Sequence, residues 1–152
     1  MKFDYYIFID YSENLIRYII IETQNIPLLL KKTIKFRHFK NLKHKRTYLL
    51  KIKNIIKKEE INYLIYKNRI NNTRDTLFLF NEVVEFVKKN QTSNIFISVD
   101  NKQHTSFKRL FKELFNKDNI FIINESKLKE RSKEYRLSLI IDNLLNIKRT
   151  RK

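Results

Sequence analysis

The sequence predicts a single α/β domain: a five-stranded mixed sheet, its first three strands antiparallel, flanked by helices. Three observations predict it. Tyr5–Glu22 (YYIFIDYSENLIRYIIIE) is two apolar, β-rich runs around one polar break, the signature of a β-hairpin. Further along, short apolar runs alternate with stretches of helical period, as in a sheet covered by helices. Finally, a chain of 152 residues without linker or internal repeat fits one domain. A domain of that size buries roughly 68–70% of its unfolded surface, enough for a substantial core.

The elements follow in order. Phe3–Asp10 and Leu15–Glu22 are the hairpin strands, and Leu28–Phe36 is a third, edge strand followed by a basic loop. Arg46–Lys58 has the helical period, with Tyr48, Leu49, Ile52, Ile55 and Ile56 on one face. Asn62–Tyr66 is a short apolar strand, and the polar Asn68–Arg74 reads as a loop. Asn72 or Thr73 caps a helix over Asp75–Lys89 that buries Leu77, Phe80, Val83, Val84 and Val87. Asn94–Val99 is a strand ending in Asp100. Thr105 or Ser106 then caps a helix with Phe107, Leu110, Phe111, Leu114 and Phe115 on one face. A strand over Asn119–Ile123 and a helix over Lys129–Ile147 close the chain, the helix with Leu137, Ile140, Ile141, Leu144 and Leu145 inward. The order β-β-β-α-β-α-β-α-β-α, an initial meander followed by alternating helices and strands, gives a mixed sheet flanked by helices.

Composition narrows the function. Cysteine is absent, which excludes disulfides and thiolate metal sites. Glycine, alanine and tryptophan are absent too, and Pro27 is the only proline, a pattern expected of AT-rich coding. Such coding drifts toward lysine, but the +17 net charge is not evenly spread. Lys31–Lys58 holds twelve Lys/Arg and no acid, and the tail Lys148–Lys152 holds four more; the rest of the chain is nearly balanced. Segregated positive charge is the footprint of a nucleic-acid binder, with Lys40, Lys43, Lys45 and Arg46 the expected phosphate contacts. The absence of an 18-residue apolar run or a secretory leader predicts a soluble, cytoplasmic protein with no membrane partner. His38, His44 and His104 lack ligand-like spacing, so phosphate contact or solvation is expected of them rather than zinc. The aromatics lie mostly on inner faces, with Tyr11 and Tyr66 near strand ends as exceptions.

The first strand ends in Asp10, and a carboxylate at the end of a buried strand is costly unless a charge meets it. It serves either as the start of the turn at Tyr11–Asn14 or as a ligand for a divalent metal. Asp10-Tyr11-Ser12-Glu13 followed by Ile16 resembles the Asp-Tyr-Gly-Glu opening of the RuvC-like YqgF family, with Ser12 in place of glycine. That family is described as pre-16S ribosomal RNA nucleases and as Holliday junction resolvases. Thr33-Ile34, Ile61–Tyr66, Ile70-Asn71, Phe86, Val99-Asp100-Asn101-Lys102 with Thr105 and Ser106, and Ile140-Ile141 with Leu144-Leu145 resemble its later segments in order. The resemblance spans nearly the whole chain and implies a ribonuclease-H-like sheet.

The resemblance also implies a site. The family's metal set is an aspartate on the first strand, the glutamate of Asp-Glu-Arg, and an aspartate on the last helix. Asp10 matches the first. Asn101 stands where the glutamate would be, with Asp100 beside it. The last position falls on Lys133, or on Glu134 with a one-residue shift, and Asp142 about two turns further on is the next candidate. The implied catalytic and metal-binding set is therefore Asp10, Asp100 and Glu134, holding Mg²⁺ or Mn²⁺ for phosphodiester hydrolysis. Asn101 ligates without adding charge, which weakens metal affinity. The implied function is a metal-dependent nuclease on structured RNA, favoured over DNA, in pre-16S ribosomal RNA processing, with the small ribosomal subunit or its precursor as partner. Two rivals are a catalytically eroded RNA- or ribosome-binding protein on the same fold, and a DNA junction nuclease.

Overall fold

The computed structural model describes residues 2–114 and 118–149. Phe115 and the tail beyond Arg149 lie outside the described residues.

The hairpin forms as the alternation requires. Strands β1 (Tyr5–Ser12) and β2 (Leu15–Glu22) pair antiparallel from Tyr5↔Glu22 to Ser12↔Leu15, joined by Glu13-Asn14. Glu13 takes φ 54°, the left-handed region that glycine usually fills in such turns. In a glycine-free chain a glutamate carries that strain.

Three expectations fail next. Leu28–Phe36 is not a strand: Ile26–Lys32 is helix α1, with Pro27 in its first turn, where its missing N–H removes no hydrogen bond. Ile26 and Leu29 are buried one turn apart, and the Thr33 hydroxyl donates to the Leu29 carbonyl at 2.7 Å to close the helix. Asn62–Tyr66 is not a strand either. Ile61–Leu64 is a 3₁₀ turn below helix α2 (Lys45–Lys58). The third strand is β3 (Lys67–Asn72), the stretch whose polarity suggested a loop. It pairs antiparallel with β2 at the sheet edge, where charged, exposed residues protect an unpaired rim.

From there the expected alternation holds. Helix α3 (Thr76–Lys89) buries Leu79, Phe80, Val83, Val84, Phe86 and Val87; Leu77, expected inside, is exposed. Strand β4 (Ile95–Val99), helix α4 (His104–Leu114), strand β5 (Ile120–Asn124) and helix α5 (Lys133–Arg149) follow. Phe107 and Phe111 are buried on α4, whereas Leu114 is largely exposed.

The sheet order is β3-β2-β1-β4-β5, with β1, β4 and β5 parallel to one another. Tyr6, Phe8, Ile19 and Ile21 bury one face under α1, α2 and α5. Ile7, Ile9, Ile16, Tyr18 and Ile20 bury the other under α3 and α4. Among the described residues no helix is long and apolar enough to cross a membrane. β1 is central, and the chain leaves its C-terminal end on one side while β4 begins the other half. Ligands of open α/β sheets bind at such a point.

Candidate functional site: a carboxylate cluster at the end of the central strands

Asp10 sits near the end of β1 and is 8% exposed. By strand alternation it shares the α5 face with Tyr6 and Phe8. One of its oxygens, Oδ1, accepts the Tyr11 N–H at 2.8 Å. Asp100 follows β4 and extends the β1–β4 ladder by one step, its N–H donating to the Ile9 carbonyl at 3.0 Å. Its Oδ2 accepts the Lys102 N–H at 3.1 Å, so it also starts the turn into α4. The other oxygen, Oδ1, is buried without a hydrogen-bond partner in a side chain only 5% exposed.

Two more carboxylates complete the cluster. Glu125 directly follows β5, and Val99 pairs with Asn124, so Asp100 and Glu125 occupy equivalent places beyond adjacent strand ends. Asn101 and Asn124 tie those ends together, Nδ2 of Asn124 donating to Oδ1 of Asn101 at 2.9 Å. Asp142 comes from α5. Its Oδ2 accepts the Phe39 N–H at 2.9 Å, and its Oδ1 lies 3.7 Å from His38 Nε2.

The four groups feel one another. Burial pushes the Asp10 carboxyl well above its usual range, and the charges of Glu125, Asp142 and Asp100 push it further. Burial, with Asp142 and Asp100, raises Glu125 to about 7. Burial raises Asp100 to about 6 against the opposing N–H groups of Lys102 and Gln103. Asp142 is raised by burial, opposed by His38, the Phe39 N–H, Lys40 and Arg149. A site that crowds like charges in a dry corner is poised to take a cation or to hold protons.

Glu134 is not brought to this cluster. It lies in the first turn of α5, eight residues before Asp142, roughly 12 Å along a helix rising 1.5 Å per residue. Lys133 beside it packs over the Tyr6 ring at 5.4 Å, toward the start of β1, whereas Arg149 reaches Ser12 at the other end. α5 therefore runs along β1 and delivers Asp142 to the level of Asp10.

The basic segment borders the cluster. Lys40 acts on both Glu125 and Asp142. Lys45 and Arg149 flank the Phe39 ring at 5.1 and 5.3 Å, and Arg46 lines an apolar cleft with Phe39. Lys102 packs over the Tyr11 ring at 5.0 Å on the other rim. Lys43 is apart, in a cleft with Lys35, Arg37 and Lys51.

The cluster's chemistry suits a hard divalent cation: all its donors are anionic oxygens, and one is a buried oxygen with no partner. Its spacing does not. Among the described residues no group of three or more His, Asp or Glu side chains is placed to hold a metal ion. Cation binding would require these side chains to swing together from strand ends that already adjoin. Of the participants, Asp10, Asp100 and Asp142 are visible in the sequence. Glu125 is not, although its place one residue past an apolar strand, matching Asp100, is a signal that could have found it.

The chain matches no family model and no curated protein.

Proposed function

We propose that this protein is a metal-dependent nuclease of ribonuclease-H-like type, acting on structured RNA, with ribosomal RNA precursors as the substrate class suggested by its resemblance to the YqgF family. The observation that carries the reading is the gathering of Asp10, Asp100, Glu125 and Asp142 at the carboxyl ends of the parallel strands, with raised pKa values and cations at the rim. Once their side chains swing together, Asp10 and Asp100 with Glu125 would hold Mg²⁺ or Mn²⁺, which would supply charge neutralisation at a phosphodiester and a more acidic water.

The chain's own residues supply the rest. Asp10, on the central strand, is buried, and the charges of Glu125, Asp142 and Asp100 all act on it. Asp142 divides its interactions between the cluster and the Phe39 N–H, so it links the acids to the basic segment. Lys40 and Lys102, on opposite rims, would receive the phosphates on either side of the reacting one. Phosphate contacts of this kind position a strand without reading its sequence.

The test is cleavage of a structured RNA with Mg²⁺ or Mn²⁺ by the wild type and by Asp10→Asn. The change is isosteric and removes a charge that burial disfavours. Cleavage should vanish, by at least a hundredfold, while circular dichroism and melting temperature hold or improve. Undiminished cleavage in Asp10→Asn, or in excess chelator, would refute the assignment.

A further inference from the structure

A second cleft lies one strand over from the carboxylates, between β2, the end of β3, α2 and α5, with a volume of about 860 Å³. Arg17 stands at its floor. It pairs with Asp10 across the β1–β2 ladder, so both project from the same face of the sheet. The two side chains diverge: Asp10 joins the acids, while Nε of Arg17 donates to Asn68 Oδ1 at 2.8 Å. Among the described residues Arg17 forms no ion pair. Burial pulls its guanidinium down to about 10, which leaves it charged at neutral pH and poorly solvated. A half-buried cation without a counter-ion is a standing attraction for an anion.

The walls add charge of the same sign. Lys53 and Lys57, one turn apart on α2, and Lys148 at the end of α5 line the cleft, against one acid, Glu60. At the mouth stands Tyr63, 84% exposed on the 3₁₀ turn. The amide side chains of Asn62 and Asn68 are beside it. An exposed aromatic ring beside cations offers a face on which a base can stack. A duplex presents no base face to such a ring; an unpaired base does.

The geometry points to this cleft as the binding site for a single-stranded nucleotide flanking the cleaved position: its phosphate on Arg17, Lys53 and Lys57, its base stacked on Tyr63. The assignment rests on the reading of the chain as a nucleic-acid enzyme, and it makes the preferred substrate one with an unpaired strand beside structure. Because Arg17 pairs with Asp10 across the β1–β2 ladder, a strand leaving Asp10 would enter the cleft by crossing from β1 to β2, about 5 Å away.

The test measures binding of a short single-stranded RNA and of a blunt duplex in chelator, alongside cleavage in Mg²⁺. Arg17→Gln disturbs a half-buried position, so the deciding variants are Tyr63→Ala and the double Lys53→Gln/Lys57→Gln, all at exposed sites. Tyr63→Ala should weaken single-strand binding about tenfold and leave duplex binding unchanged. The double variant should lower the log–log salt slope for the single strand by about one. Wild-type-like single-strand affinity and slope in both variants would overturn the assignment, as would a wild type that does not bind the strand. If both variants lose binding while the wild type cleaves nothing, the cleft stands and the nuclease reading falls. If the wild type cleaves and both variants bind normally, the nuclease reading stands and the cleft falls.

Discussion

Glu125, its carboxyl pushed up to about 7, is partly protonated at neutral pH, and Asp100 at about 6 follows it. Both are raised relative to their unfolded values, near 4.5 and 3.8. The folded state therefore binds more protons than the unfolded chain between those limits, and stability falls as pH rises from about 4 through 7. Without divalent ions the protein should be less stable to urea at pH 8 than at pH 5, by on the order of 2 kcal/mol. Glu125→Gln should shrink that difference and raise stability at pH 8. Denaturation midpoints for the two proteins at the two pH values decide it; an identical pH dependence in Glu125→Gln would remove Glu125 from the cluster. Asp10 and Asp100 were legible because each ends an apolar run, where a charge needs a reason. Glu125 was hidden because Asn124 and Ser126 around it look like an ordinary turn, and the Asn124 side chain does accept the Ser126 N–H. Glu134 and Asp142 lie on one helix in the sequence, and only packing along β1 shows that Asp142 is the one level with Asp10.

At the level of elements, α2 and the loop before it carry most of the cations that border the cluster. Leu49, Ile52 and Ile56 of α2 are buried, so its lysines can face only outward. With roughly four to six of the basic segment's charges on phosphates, RNA affinity should fall with salt at a log–log slope of about −4 to −5. Replacing Lys40, Lys43, Lys45 and Arg46 by Gln should flatten the slope by several units, with the loss shared by all sequences. Titration against a structured RNA at several salt concentrations measures this, and an unchanged slope would mark these cations as solvated only. Two of the misread elements lie on either side of this segment. Leu28, Leu29 and Leu30 form a short apolar run that periodicity cannot assign; Pro27 favours the first turn of a helix and tips the balance. β3 has no alternation to see, because an edge strand packed on one side with lysine, arginine and asparagine outside looks like a loop. Its register comes from β2, which no local window contains.

Over the whole molecule, the order β3-β2-β1-β4-β5 makes a centre out of parts distant in sequence. The first strand finds its parallel partner only when β4 is available, and its cover only when α5 packs along it. This has a consequence in time. During synthesis the basic segment Lys31–Lys58 emerges early, while the hairpin still lacks β4 and α5. Asp142, from the last helix, reaches Asp10 only after nearly the whole chain has been made. On the proposed reading, attraction to RNA would precede competence to cut it, and a prematurely ended chain would bind without cutting. A chain stopped before Lys133 should lose cooperative unfolding and all cleavage, yet keep salt-sensitive RNA affinity within about tenfold of the full chain, since that affinity resides in segregated charge. Adding α5 back as a separate peptide should restore cooperative melting if docking of that helix is what completes the fold.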